Sequence, residues 1–342
     1  MSGPSMSGPS LTDGFWPDRV TGEINEITDR AAMGLPEHYV HPPLQVSAAV
    51  MNEVRGGTLA DLVALVEDAA AAAPRRIAAG WVLSLAGDPR LQPLEPAMCR
   101  VAGGRATIGT DPADVDGLFE RYARFGVQRP WIEKECPRFG VEVATFAIGK
   151  YPVTNGEFMA FLAETRYPEL PTSWPYGRPP AHALNAPVYT ITAAAAEAYA
   201  AWLARKTGRA FRLPGEFEWE YAAAGADGLS FPWGNRFDSD AANTMETGLL
   251  STSPVGAFPR GHTPGGVADL AGNVEEYVSD TYRPYPGGHL VADDLYLKLG
   301  AYRIARGGAF NRFSDLARCQ RRHGAYPSSL YAIGFRLAED IV

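Results

Sequence analysis

Residues 306–337 read RGGAFNRFSDLARCQRRHGAYPSSLYAIGFRL. Arg306 leads two adjacent glycines, Gly307 and Gly308, and Gly334-Phe335-Arg336-Leu337 closes the stretch. Between these ends lie Arg312, Arg318, Arg321, Arg322, the lone thiol of Cys319, and His323. The density of charged groups makes the segment locally positive and a first candidate for a site. A solitary cysteine there has two readings. It either reacts as an activated thiolate or packs as a small apolar group.

The chain of 342 residues suits one large or two ordinary domains. With 46% hydrophobic and 20% charged residues, it can bury a core of ordinary size. The formal net charge of −8 opposes a broad nucleic-acid surface, which needs a basic face, so no nucleic-acid partner is expected. Cys99, Cys136 and Cys319 are too few for a secreted disulfide framework, and none sits in a C-x-x-C pair. The start, MSGPSMSGPSLTDG, has no apolar core of a signal peptide. No window reaches the roughly 18 apolar residues of a membrane span. A cytoplasmic protein with no membrane partner is the expectation.

Residues 1–95 are alanine-rich and read as a helical region behind a flexible start. Thr58-Leu59-Ala60-Asp61 resembles a capping box, and Leu59, Leu62, Val63, Leu65 and Val66 follow at helical spacing. Pro74 opens a second helix with Ile77, Trp81, Val82 and Leu85 on one face. Such a pair can dock a protein partner or a second copy of the chain. From about residue 96 glycine, proline and aromatic residues dominate. Val141–Ile148 reads as a strand. Helices are expected over Asn155–Leu162 and Thr192–Arg205, with a third from Pro214 that brings Glu216, Glu218 and Glu220 near its positive end.

Several motifs occur in order: Gly149-Lys150-Tyr151-Pro152-Val153-Thr154-Asn155, Arg212–Glu220, Phe231-Pro232-Trp233-Gly234-Asn235, Asp269–Tyr277, Arg306-Gly307-Gly308 and Gly334–Leu337. Together they resemble the formylglycine-generating enzyme (sulfatase-modifying factor) superfamily over residues 98–338. The resemblance implies an irregular, C-type-lectin-related α+β fold over residues 96–342, with structural calcium. It matches Asp269, the carbonyls of Gly272 and Val274, and the Glu276 side chain to one family calcium site. Asn243 and the Thr244 carbonyl match the start of another, whose later acid is not evident. Calcium prefers such mixtures of carboxylates and carbonyls. The alternative is that the acids are simply solvated.

True formylglycine-generating enzymes hold copper through two thiolates after the Arg-Gly-Gly motif. Here Ala309 and Ser314 fall at those positions, which makes copper less expected than iron(II). Other branches of the superfamily, including the ergothioneine-type sulfoxide synthases, bind iron(II) through histidines of an N-terminal helical domain. Their H-x-x-x-H-x-E motif is absent. Glu37-His38-Tyr39-Val40-His41-Pro42-Pro43 offers two imidazoles, His38 and His41, as iron ligands or as ordinary loop histidines. Arg322 matches an arginine bordering the family cleft. It either anchors a substrate carboxylate or pins loops in an arginine–acid lattice. His323 and Tyr277 complete the expected reacting pocket, and Glu275 stands where the family carries an aromatic. The tryptophans, Trp219 among them, are expected in the core. Two functions remain. One is an iron-dependent oxidoreductase that uses oxygen on a small polar, amino-acid-like substrate. The other is a non-catalytic, calcium-braced binding module.

Overall fold

The computed structural model describes residues 19–341. The repeated MSGPS lead, expected to be a flexible start, lies outside the described residues. Four helices come first: α1 (Asp29–Ala32), α2 (Ala48–Val54), α3 (Leu59–Val66) and α4 (Ala73–Ala86). The Thr58 hydroxyl accepts from the Asp61 N–H and the Asp61 carboxylate accepts from Thr58, closing the capping box. In α4 the buried face carries Ile77, Gly80 and Leu83, while Leu85 is exposed and Trp81 half-buried. The face is rotated from the expected one because Gly80 lies against Pro254. A Cβ there would meet the proline ring at 2.4 Å.

The rest is α+β. A four-stranded sheet runs β1 (Met98–Val101), β4 (Phe146–Gly149), β9 (Ala338–Asp340), β5 (Phe211–Arg212). A two-stranded antiparallel sheet pairs β2 (Gly104–Ile108) with β3 (Phe139–Val143). A third sheet has the order β7 (Arg303–Arg306), β6 (Glu275–Thr281), β8 (Ile333–Phe335), with β6 antiparallel to β7 and parallel to β8. The expected single strand over Val141–Ile148 is therefore two strands in different sheets. Thr145 breaks it by turning its hydroxyl to accept from the Gly103 N–H at 2.9 Å.

Among the later helices are α5 (Val115–Tyr122), α6 (Arg129–Glu133), α7 (Asn155–Thr165), α8 (Ala193–Thr207), α9 (Glu216–Ala224) and α10 (Asp294–Leu299). Thr154 and Glu157 close a capping box on α7, and Thr192 caps α8. Phe158, Phe161, Tyr199, Trp202 and Phe335 then stack into one aromatic core between α7, α8 and β8.

The N-terminal region is not a separate body. Val54, Leu62, Val66, Ile77 and Leu83 share a core with Leu249 and Phe258. Val20, Ile24, Ala32 and Leu35 enter the same core as Tyr277, Phe313 and Tyr331. Residues 19–35 thus form a strap that bonds through Asn25 to Tyr331 and Asp294 and through Asp29 to Ser329.

Candidate functional site

Strand β6 sorts its acids by alternation, since successive side chains point to opposite faces. Glu275 and Tyr277 share one face and Glu276 takes the other. Glu276 is buried, and each of its oxygens is held. Oε1 accepts from Arg336 at 2.6 Å, and Oε2 accepts from Arg336 Nε and Trp219 Nε1 at 2.6 Å each. Arg336 also donates to the carbonyls of Gly149 and Ala268. The last motif of the chain therefore ties β8 to the sheets around it.

Glu275 faces His323 instead. His323 reaches it because its backbone pairs with Ala305 of β7 in both directions, at 2.8 and 3.0 Å. Ala305 pairs in turn with Tyr277 of β6. The chain can run this close only because residue 324 is glycine. A Cβ there would meet the Tyr302 ring at 2.5 Å. His323 Nδ1 lies 2.6 Å from Glu275 Oε2, with both side chains buried. The imidazole stacks on Tyr331 at 5.1 Å and 22°, and the Arg312 guanidinium lies 5.5 Å over the same ring. The Tyr331 hydroxyl bonds to the Asn25 side chain of the strap. Glu275 Oε1, Arg312 Nη1 and Asn311 Oδ1 are buried without hydrogen-bond partners.

Burial lowers the His323 pKa, against the opposing pull of Glu275, so the ring is held toward its neutral form. With a carboxylate at Nδ1, the neutral tautomer carries its proton there and leaves Nε2 as a base. Burial pushes the Tyr277 phenol up to about 12, and the neighbouring Glu275 adds to the shift. Tyr277 is a neutral wall in this setting.

Arg322 is not a substrate anchor. It holds Glu216 through Nε and Nη2 at 2.7 and 2.9 Å and donates to the carbonyls of Lys134 and Arg283. Its guanidinium lies 3.9 Å over Tyr285. Arg306 holds Glu216 and Glu220, and Arg318 holds Glu135 through two bonds. The positive charge expected over this segment is thus largely neutralised inside the fold. These pairs satisfy the backbone of a loop-rich chain. Cys319 belongs to the same lattice. It is fully buried, its N–H donates to Ser230, its carbonyl accepts from Arg306, and burial drives its thiol pKa well up.

The expected metal sites fare differently from the base. His38 and His41 lie exposed in the loop after α1, with His41 Nδ1 3.3 Å from the Tyr39 hydroxyl. The chain does not bring them to His323. Among the described residues no three His, Cys, Asp or Glu side chains group as a metal would need. The described residues therefore do not fit iron(II). They do not fit copper either: Ala309 and Ser314 are both buried, and the Ser314 N–H donates to Glu246 at 2.8 Å.

The calcium set fits no better in its side chains. Glu276 is filled by Arg336 and Trp219. Asp269 Oδ2 accepts from the Gly256 N–H at 2.8 Å, and burial raises its carboxyl to about 6. Asn243 bridges backbone-to-backbone with Gly272, and its Nδ2 donates to Ser251. The Thr244 hydroxyl donates to Glu246. Val274 is a core residue at 1% exposure. The two loops expected to hold separate ions are instead zipped to each other.

Residues 86–341 match the family model described as the sulfatase-modifying factor enzyme 1-like domain. The chain belongs to this family. It is 33% identical over 316 residues to the inactive C-alpha-formylglycine-generating enzyme 2 of Mus musculus, covering 76% of this chain and 91% of that one. The hercynine oxygenase of Mycolicibacterium thermoresistibile is 30% identical over 276 residues, covering 68% of this chain and 56% of its own. The chain thus matches little more than half the length of that relative. Among solved structures, PvdO from Pseudomonas aeruginosa aligns with a TM-score of 0.56 at 28% identity, covering 72% of this chain and 95% of that one. Treponema denticola variable protein 1 shares the fold with a TM-score of 0.50 at 18% identity. No helix among the described residues is long and apolar enough to cross a membrane.

Sequence reading singled out His323, Tyr277 and the anomalous Glu275, but not their pairing. It missed Tyr331, Arg312 and the strap residue Asn25. The one available signal was an acid in the aromatic position 275 together with a histidine on a late strand.

Proposed function

We propose that this family member is an oxidoreductase in which a small, amino-acid-like molecule loses two electrons and two protons, molecular oxygen gains both to become hydrogen peroxide, and His323 of the Glu275–His323 pair carries one of the protons. The observation that carries the reading is the 2.6 Å contact between two buried side chains at a position where the family carries an aromatic. Glu275 orients the ring and stabilises the imidazolium that forms when Nε2 accepts a proton. Arg312, with a free Nη1, takes the role once expected of Arg322 and holds a substrate carboxylate. The free Glu275 Oε1 suits an ammonium group. Tyr331 and Tyr277 give the apolar walls. The similarity to hercynine oxygenases supports the reaction class. No step is drawn through a metal, because the described residues do not assemble its ligands.

The test is oxygen uptake by the full chain with hercynine and a panel of free amino acids, with and without ferrous iron. Uptake that His323→Gln abolishes and Arg312→Gln shifts chiefly in KM supports the proposal. Uptake indifferent to His323→Gln contradicts it. A second reading, a binding module without turnover, is favoured by the dispersal of His38, His41 and His323 and by the similarity to an inactive relative. It predicts saturable ligand binding with no oxygen uptake on any substrate of the panel.

A further inference from the structure

Away from the Glu275–His323 pair, a cavity of about 360 Å³ opens between α5 and the turn that follows Phe231. Its first wall is one face of the helix. Asp114, Gly117, Leu118 and Arg121 recur at the spacing of a single helical stripe. Arg138, Asn235 and Arg318, from other parts of the chain, also line the cavity. None of the Glu275 face, the strap or His323 lines it.

The lining is cationic in a chain of net charge −8. Arg318 has its charge balanced by two bonds to Glu135 at 2.9 and 2.6 Å, so it adds shape more than field. Arg138 makes no hydrogen bond or ion pair of its own among the described residues; Arg121 makes no ion pair there, and its side chain hydrogen-bonds the Tyr122 phenol. Both are exposed. Asn235 is fixed by its Oδ1, which accepts from the Ser230 N–H at 3.0 Å. That bond turns its amide NH₂ outward as a further donor. Asp114 is the one acid in the lining and sits a full two turns of helix from Arg121. The cavity therefore offers two guanidinium groups without an acid partner, Arg121 and Arg138, and an amide donor. Guanidinium forks match planar or tetrahedral oxyanions.

We propose that this cavity is a second small-molecule site, separate from the Glu275–His323 site, that takes an oxyanion: the phosphate of a small ester or the carboxylate of a small acid. Arg121 and Arg138 supply the guanidinium donors to the anion, and Asn235 adds an amide donor. Because both arginines are exposed, binding weakens as salt rises.

The experiment is isothermal titration of the full chain with inorganic phosphate and, separately, with succinate at low ionic strength. Glycerol is the neutral control. Arg121→Gln and Arg138→Gln remove one guanidinium each, and exposure of both residues leaves the fold intact, checked by circular dichroism. Arg178→Gln changes an exposed arginine outside the cavity. Saturable binding of either anion is expected. Each cavity substitution should weaken it roughly tenfold or more, the cost of one charge-assisted bond, and Arg178→Gln should leave it unchanged. Binding of phosphate alone assigns the site to phosphate esters, and binding of succinate alone assigns it to carboxylates. Heat from neither anion, or equal weakening by Arg178→Gln, overturns the proposal.

Discussion

Replacing Arg322 with methionine separates a brace from a substrate anchor. The side chain makes two bonds to the Glu216 carboxylate, at 2.7 and 2.9 Å, and one each to the carbonyls of Lys134 and Arg283. It also lies flat on Tyr285. Glu216 is 4% exposed, so it cannot turn to water when the guanidinium goes. Breaking one side of a buried ion pair costs about 3–5 kcal/mol. Glu216 keeps Arg306 at 2.8 Å, which places the expected loss at the lower end, about 3 kcal/mol. In a chain of 342 residues that lowers Tm by roughly 4 °C. Arg322, then Arg306, holds the Glu216 carboxyl below its ordinary range despite burial. A depressed carboxyl adds stability above its unfolded pKa and loses it as pH falls through the folded value. Wild type should therefore lose more stability than Arg322→Met as the solution is acidified below about pH 4.5. The assay is thermal and urea unfolding followed by near-ultraviolet circular dichroism. An Arg322→Met protein with unchanged Tm and a lost ligand affinity would refute the brace and restore the anchor.

Cys319→Ala should cost about 1 kcal/mol, as for a small buried apolar group, with any metal content unaltered. In the native wild type this thiol should resist a thiol reagent that modifies Cys99, which is half-buried. Calcium or a chelator should shift Tm by less than about 1 °C, since Glu276 is already neutralised by Arg336; a large calcium-dependent rise would reinstate the ion. Burial depresses the His323 pKa, so its contribution to stability is complete above the unfolded value near 6.5 and is lost as pH falls below it. His323→Gln should flatten the unfolding free energy between pH 8 and 5, and an unchanged slope would place the titration elsewhere.

The fold was legible because its motifs are structural parts. The Arg-Gly-Gly and Gly-Phe-Arg-Leu ends supply Arg306 and Arg336, each committed to a buried acid. The helix starts were legible because Thr58, Thr154 and Thr192 cap locally. What escaped was non-local. Nothing near Asn25 in sequence announces its bond to Tyr331. Nothing near Glu275 announces His323, which arrives through the Ala305 bridge. Of the two readings open for Arg322, the lattice one could not be chosen from sequence for the same reason, since its partner Glu216 lies on a different element, α9. The same limit applies to Asp269 and Glu276. Their motif reads as a cation loop, but Arg336 and Gly256, distant in sequence, take the oxygens.

The central claim is that Glu275 orients His323 so that Nε2 is the base. Nitrogen-15 NMR of selectively labelled histidine in the full chain reads this directly. The His323 assignment comes from the His323→Gln spectrum. The structure calls for a neutral ring at pH 7, protonated at Nδ1 and with a pyridine-like Nε2, and for loss of that preference in Glu275→Gln. A ring protonated at Nε2, or one whose tautomer ignores Glu275→Gln, would contradict the account.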